Sequence, residues 1–203
     1  YGHFGELEWE GQLAAVDYLK TLDWVGADRI VLRGWSGGGA NTLYSILHAP
    51  GTWAAATAGA PVTNWLLYDS IWTERYLGHP DDNPDGYRDS SAINAAGNLR
   101  DPLLLVHGTA DDNVHPSNTL AISQKLIAAG LPFEQALYPR QKHGFGDASS
   151  RHFYERMAEF FDRHTRPERA DGRYGDRPLL GRSPEEQTAE LQSPPDRACP
   201  LPP

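Results

Sequence analysis

Cysteine and methionine are almost absent: the 203 residues contain one of each, Cys199 and Met157. A single cysteine excludes a disulfide framework and a cysteine-rich zinc site. No apolar run approaches the roughly 18 residues that a membrane-crossing helix requires. An excess of basic residues is also lacking. Lys and Arg number 18 against 27 Asp and Glu, for a net charge of -9 and a pI near 5.3. The electrostatic footprint of a nucleic-acid partner is therefore missing, and mild acidity of this kind favours solubility. There is no internal repeat. The first residue is Tyr1, so the sequence reads as the C-terminal piece of a longer protein, and the lack of a leader segment carries no information about compartment. What the chain does have is aromatic surface, with six Trp and nine Tyr, residue types that commonly line ligand pockets.

Composition changes near residue 165. Of 16 prolines in the chain, eight fall at or after Pro167, and the segment from Thr165 to Pro203 also carries six arginines and few large apolar residues. It holds neither the helical nor the strand period and reads as a disordered tail, 165–203, in which Cys199 is incidental. Residues 1–164 read as one domain. Ala15, Tyr18, Leu19 and Leu22 follow helical spacing. Ile30–Leu32, Ala54–Ala60, Leu103–Val106 and Phe133–Tyr138 read as buried strands. Helices are expected from just after Ser36 to about His48, over Ser117–Ala129 with Leu120, Ile122, Leu126 and Ile127 apolar, and over His152–His164. Strands alternating with helices imply a mostly parallel sheet covered on both faces, an α/β class.

The sharpest local signal is Gly34-Trp35-Ser36-Gly37-Gly38. It matches G-x-S-x-G between an expected strand and an expected helix, the context that this nucleophile motif needs. A serine on a tight strand-to-helix turn is pushed out at the C-terminal edge of the sheet. Glycines two residues either side are expected to relieve clashes with neighbouring backbone, and the Gly37 amide, at the helix start, can donate to an oxyanion. By itself the motif also fits a plain glycine turn with a serine cap.

A serine nucleophile needs a base oriented by an acid, in the chain order Ser, Asp, His for this fold. The strand Leu103–Val106 runs into His107-Gly108-Thr109-Ala110-Asp111-Asp112-Asn113-Val114, and the strand ending at Tyr138 is followed by His143-Gly144-Phe145. Both loops fall at the same sheet edge as Ser36. The pattern H-G-x-x-D-x-x-V favours Asp111 over Asp112 as the acid. His143, on a Gly-Phe loop, is the expected base. His107 is expected to be a buried structural residue following its strand, and His48, His79 and His115 are expected at the surface. No histidine has metal-ligand spacing.

These residues resemble the catalytic domain of the prolyl oligopeptidase family, in its dipeptidyl peptidase IV branch. Besides the serine motif, the stretch from Tyr68 to Gly78, Y-D-S-I-W-T-E-R-Y-L-G, is similar to that branch's Y-D-S-x-Y-T-E-R-Y-M-G, and His107 to His115 matches without a gap. The resemblance covers about residues 5 to 164. It implies an α/β-hydrolase fold, truncated here at its N-terminal side, with Ser36 as nucleophile, Asp111 as acid, His143 as base and the Gly37 N–H in the oxyanion hole. It also implies a pocket for Pro or Ala formed by Val62, Trp65, Tyr68, Trp72 and Val114, with the Asn113 amide holding a substrate carbonyl. Ring stacking on a pyrrolidine makes such a pocket chemically sensible. Gly37 and Trp72 stand where the branch usually has Tyr, which weighs against a strict proline preference.

The implied activity is serine peptidase cleavage releasing N-terminal dipeptides, with no metal or organic cofactor. The implied partners are a peptide substrate, an N-terminal β-propeller domain in the parent protein, and a second copy in a homodimer, with no nucleic acid. The parent is implied to be secreted, periplasmic or membrane-anchored. A second oxyanion donor and the first sheet strands are expected upstream of Tyr1, so residues 1–203 alone are expected to be poorly folded or inactive. Two other functions stay open on sequence: an esterase or acylaminoacyl peptidase with the same triad, and an inactive truncated remnant. The segment from Tyr68 to Gly78 argues against a lipase.

Overall fold

A computed structural model describes residues 1–166. In chain order the elements are α1 (Glu6–Lys20), β1 (Val31–Trp35), α2 (Gly37–His48), β2 (Ala55–Gly59), a 3₁₀ turn (Trp65–Leu67), α3 (Ser70–Leu77), α4 (Pro84–Ser90), a second 3₁₀ stretch (Ala92–Asn98), β3 (Leu103–Gly108), α5 (Ser117–Ala128), β4 (Glu134–Tyr138) and α6 (Asp147–Thr165). The reading of residues 167–203 as a tail lies outside the described residues.

The four strands form one parallel sheet in the order β1-β2-β3-β4. Parallel neighbours require crossovers, and every crossover here contains a helix. Alternate residues of the strands serve opposite faces. Ala56 and Ala58 of β2 and Leu103 and Leu105 of β3 pack with Val16 of α1, Leu43, Ile46 and Leu47 of α2, and Ile122 and Leu126 of α5. Ala55, Leu104 and Val106 face the other way, onto Phe153 and Phe160 of α6. The small residues of β2, Ala-Ala-Thr-Ala-Gly, are all buried, which lets helices approach the sheet centre closely. The strands end within two residues of one another: Trp35 lies beside Gly59, Gly59 beside Val106, and Gly108 beside Tyr138. The loops carrying Ser36, Asp111 and His143 therefore leave the sheet at one edge, where α/β proteins place their ligands.

Several expectations need correction. α1 buries Val16 and packs Trp9 and Leu13 on the core, whereas Tyr18 is exposed and Leu22 lies beyond the helix. Of the four apolar residues expected on the buried face of α5, Leu120 and Ile127 are exposed, and Ile122 and Leu126 enter the core. α6 starts at Asp147, five residues earlier than His152. β3 continues to Gly108 because pairing with β4 extends through His107 opposite Leu137, so His107 lies within the strand and does not follow it. Residues 61–99, with no amphipathic run long enough to read, fold as short capped helices. Asp69 Oδ1 accepts from Trp72 N at 2.8 Å, and Asn83 Oδ1 accepts from Gly86 N at 3.1 Å with Pro84 at the first helical position.

Candidate active site

Ser36 joins β1 directly to α2 with φ 60° and ψ -122°, a conformation that costs a non-glycine residue about 1–3 kcal/mol. Its backbone is held on both sides: its N–H donates to Gly59 O at 2.8 Å, and its carbonyl accepts from Ala40 N at 2.9 Å. The turn is tight enough that a Cβ on Gly34 would lie 1.9 Å from Gly38 O and 2.7 Å from Thr42 Oγ1. The sequence expectation of two symmetric glycines is half right. A Cβ on Gly38 meets nothing, while one on Gly39 would lie 2.6 Å from Gly59 O, so the crowded glycine on the helix side is one residue later. Gly34→Ala is expected to destabilise the fold by at least about 1–3 kcal/mol, since backbone must move. Gly38→Ala should be neutral or slightly stabilising, as alanine favours a helix interior. Denaturant midpoints check this; equal midpoints for the two variants would contradict it.

At this turn the N-terminal amides of α2 lack intrahelical partners. The Gly37 N–H, on an exposed residue, is free to meet an anion beside Ser36. Trp35 ties the serine turn to the histidine loop. Its indole Nε1 donates to His143 O at 3.0 Å, and its ring meets Phe145 edge-on, centroids 5.0 Å apart.

Asp111 has its carboxylate fully buried. Oδ1 accepts from Asn113 N and Val114 N, each at 3.0 Å, and Oδ2 accepts from His143 Nδ1 at 2.8 Å. Asp112 points away, to Lys142 Nζ at 2.6 Å on the surface. Acid and histidine loops are laced together: Thr109 N donates to Tyr138 O, Ala110 N to Gln141 O and Arg140 N to Thr109 Oγ1. A Cβ on Gly108 would sit 2.3 Å from Gln141 O. The structure thus brings Asp111 and His143 into contact. Ser36 Oγ and the His143 ring share no hydrogen bond among the described residues, and such contacts often tighten only with substrate bound.

His107 is wholly buried behind this pair. Its Nε2 is 2.8 Å from Val114 O and 3.3 Å from Asp111 Oδ2. A carbonyl only accepts, so Nε2 carries the proton. Burial, against the pull of Val114 O and Asp111, holds the imidazole below its usual value, so the ring is neutral. Nδ1 then accepts from the Thr119 hydroxyl at 2.7 Å. A base whose folded proton affinity is depressed contributes stability that is complete above its unfolded value, about 6.5, and lost as pH falls below it. Wild type is therefore expected to lose more thermal stability between pH 7.5 and 5.5 than His107→Gln does. Equal losses would contradict this reading of the ring.

Of the expected pocket residues, Val62, Trp65 and Val114 share a buried cluster with Ala40 of α2, and Tyr68 packs against it. Val62, Trp65 and Val114 are buried, Tyr68 is half-buried, and Trp72 and Asn113 reach solvent. Trp65 and Trp72 stack at 5.2 Å and 19°, and Phe4 packs on both, at 4.6 and 5.2 Å. Tyr68 Oη donates to Asn113 Oδ1 at 3.1 Å. Burial, with the charges of Asp69 and Asp111, keeps the phenol protonated by raising its value. With its oxygen engaged, Asn113 has its amide N–H groups left to donate. A separate cleft of about 620 Å³ between β4 and α6, lined by Gln135, Tyr138, His152 and Arg156, contains none of these groups. No cluster of three or more His, Cys, Asp or Glu side chains able to hold a metal occurs among the described residues.

Sequence reasoning missed Phe4, Thr63, Asn118 and Thr119. Phe4 precedes α1 and carried no periodic signal. Asn118 and Thr119 look like ordinary polar residues at a helix start, yet both are fully buried.

Comparison with known proteins fits this geometry. The profile of the prolyl oligopeptidase family matches residues 1–168. The chain is 38% identical over 155 residues to human dipeptidyl peptidase 8, covering 74% of this chain and 17% of that protein. It is 38% identical over 160 residues to bovine dipeptidyl peptidase 4, covering 77% and 21%. The crystal structure of Porphyromonas gingivalis dipeptidyl peptidase 4 superposes with a TM-score of 0.78 at 41% identity, covering 81% of this chain and 24% of that one. The chain thus spans about a fifth of the length of the curated relatives it matches. With an α/β-hydrolase sheet, a strained serine turn and a profile match over most of its residues, the chain belongs to the prolyl oligopeptidase family.

Proposed function

We propose that this chain carries the reaction centre of a serine peptidase that, in the full-length protein, releases N-terminal dipeptides after Pro or Ala. The observation that carries this reading is the 2.8 Å contact between His143 Nδ1 and the buried Asp111 carboxylate, on loops that leave the sheet at the edge where Ser36 stands.

Because Nδ1–H is committed to Asp111, the proton-free nitrogen of His143 is Nε2. It takes the Ser36 Oγ proton as oxygen attacks the scissile carbonyl, and Asp111 stabilises the imidazolium. The Gly37 N–H receives the developing oxyanion. His143 then passes its proton to the leaving amine, and water hydrolyses the acyl-enzyme with the roles reversed. Trp65, Tyr68 and Trp72, with Val62 and Val114 beneath, supply a ring-lined surface for a proline or alanine side chain. The free Asn113 amide donates to a substrate carbonyl.

Full-length protein is expected to hydrolyse Gly-Pro-arylamide with a higher kcat/KM than a short-chain p-nitrophenyl ester. Ester turnover without arylamide turnover would favour an esterase and contradict the peptidase reading.

A further inference from the structure

Asn118 and Thr119 are adjacent, fully buried polar residues in the first turn of α5, where polar side chains ordinarily meet solvent. Each uses its hydrogen-bonding capacity on a different part of the site. Asn118 Oδ1 accepts from Thr63 N at 3.0 Å and Asn64 N at 3.4 Å. Its Nδ2 donates to Leu67 O at 3.4 Å and His115 O at 3.3 Å. A primary amide offers two donors and two acceptor positions, and all are engaged. Thr63 Oγ1 adds a bond to Asn118 O at 2.8 Å. The segment fastened in this way, 62–68, carries Val62, Trp65 and Tyr68.

Thr119 serves a different element. Its hydroxyl donates to His107 Nδ1, and the His107 Nε2–H lies 2.8 Å from Val114 O and 3.3 Å from the Asp111 oxygen that also receives His143. The alternative tautomer, with the proton on Nδ1, would turn the Nε2 lone pair toward a carbonyl and a carboxylate. Thr119 thereby helps fix the ring that backs the acid.

We infer that the first turn of α5 is a positioning hub with two arms, Asn118 setting the substrate-pocket segment and Thr119, through His107, setting the Asp111 carboxylate. The inference rests on the proposed peptidase function. Neither residue need touch substrate, so both are positioning residues. Disturbing the first arm should change substrate binding, and disturbing the second should change the chemical step.

The test uses near-isosteric substitutions in the full-length protein, with active sites counted by titration with a fluorophosphonate so that only folded enzyme is compared. Thr63→Val, which breaks the pocket arm gently, is expected to raise KM for Gly-Pro-arylamide about fivefold with kcat little changed, and Asn118→Asp to do so more strongly. Thr119→Val is expected to lower kcat about fivefold with KM little changed, and Thr119→Ser to restore it. Wild-type kcat and KM per titrated site in both valine variants would overturn the hub, as would equal losses of both constants in each. A wild type that neither turns over substrate nor reacts with the probe would overturn the proposed function itself, and the hub with it.

Discussion

Ser36→Ala is expected to lower kcat by roughly 10⁴–10⁶-fold, the scale seen when a triad member acting as a unit is removed, while leaving the unfolding midpoint close to wild type. Alanine bears a Cβ like serine, so the backbone strain at φ 60° is the same in both proteins. The Ser36 N–H to Gly59 O and Ala40 N–H to Ser36 O bonds are main-chain and persist. Only the attacking oxygen is lost. His143→Ala should be comparably damaging, because it removes the base and leaves Asp111 without its Nδ1 partner. A Ser36→Ala enzyme with kcat within tenfold of wild type would show that the nucleophile lies elsewhere.

Asp111→Asn is expected to cost about 10⁴-fold in kcat, and Asp112→Asn no more than about twofold. The neighbours of Asp111 dictate how an amide would lie. The Oδ1 position faces two N–H groups, from Asn113 and Val114, so the amide oxygen must take it. The NH₂ is then forced to the Oδ2 position, against His143 Nδ1 and His107 Nε2. To accept that proton, His143 must move its own proton to Nε2, which can then no longer act as a base toward Ser36. Asp112 has none of these contacts, and its carboxylate pairs with Lys142 at the exposed surface. Steady-state kinetics of the two variants decides the matter, and mild, equal losses would mean that the acid is misassigned.

The order of the four strands and the sheet edge shared by the Ser36, Asp111 and His143 loops are legible in the sequence because each rests on local pattern: an apolar strand, then a glycine turn or a short polar loop. β2 and β3 are buried on both faces and so read as continuous apolar runs. What local pattern does not carry is partnership. The buried face of α1 differs from the expected one because Tyr18 fits a helical stripe yet stays exposed, while Val16 meets the α2 side of the core. His107 reads as following its strand because only pairing with Leu137 of β4 reveals that the strand continues. The clash expected at Gly38 falls on Gly39, since the crowding atom, Gly59 O, belongs to the next strand. Asn118 and Thr119 carry no local signal for the same reason. Their value lies in contacts to Thr63 and His107, 55 and 12 residues away in sequence.

The central claim is that Ser36 is a nucleophile activated by His143 and Asp111. Its most direct measurement is the site of covalent labelling by a fluorophosphonate, located by peptide mapping. One adduct per active site is expected, on Ser36, with labelling slowed by orders of magnitude in His143→Ala and absent in Ser36→Ala. Labelling at another residue, or an adduct that persists in Ser36→Ala, would contradict the account.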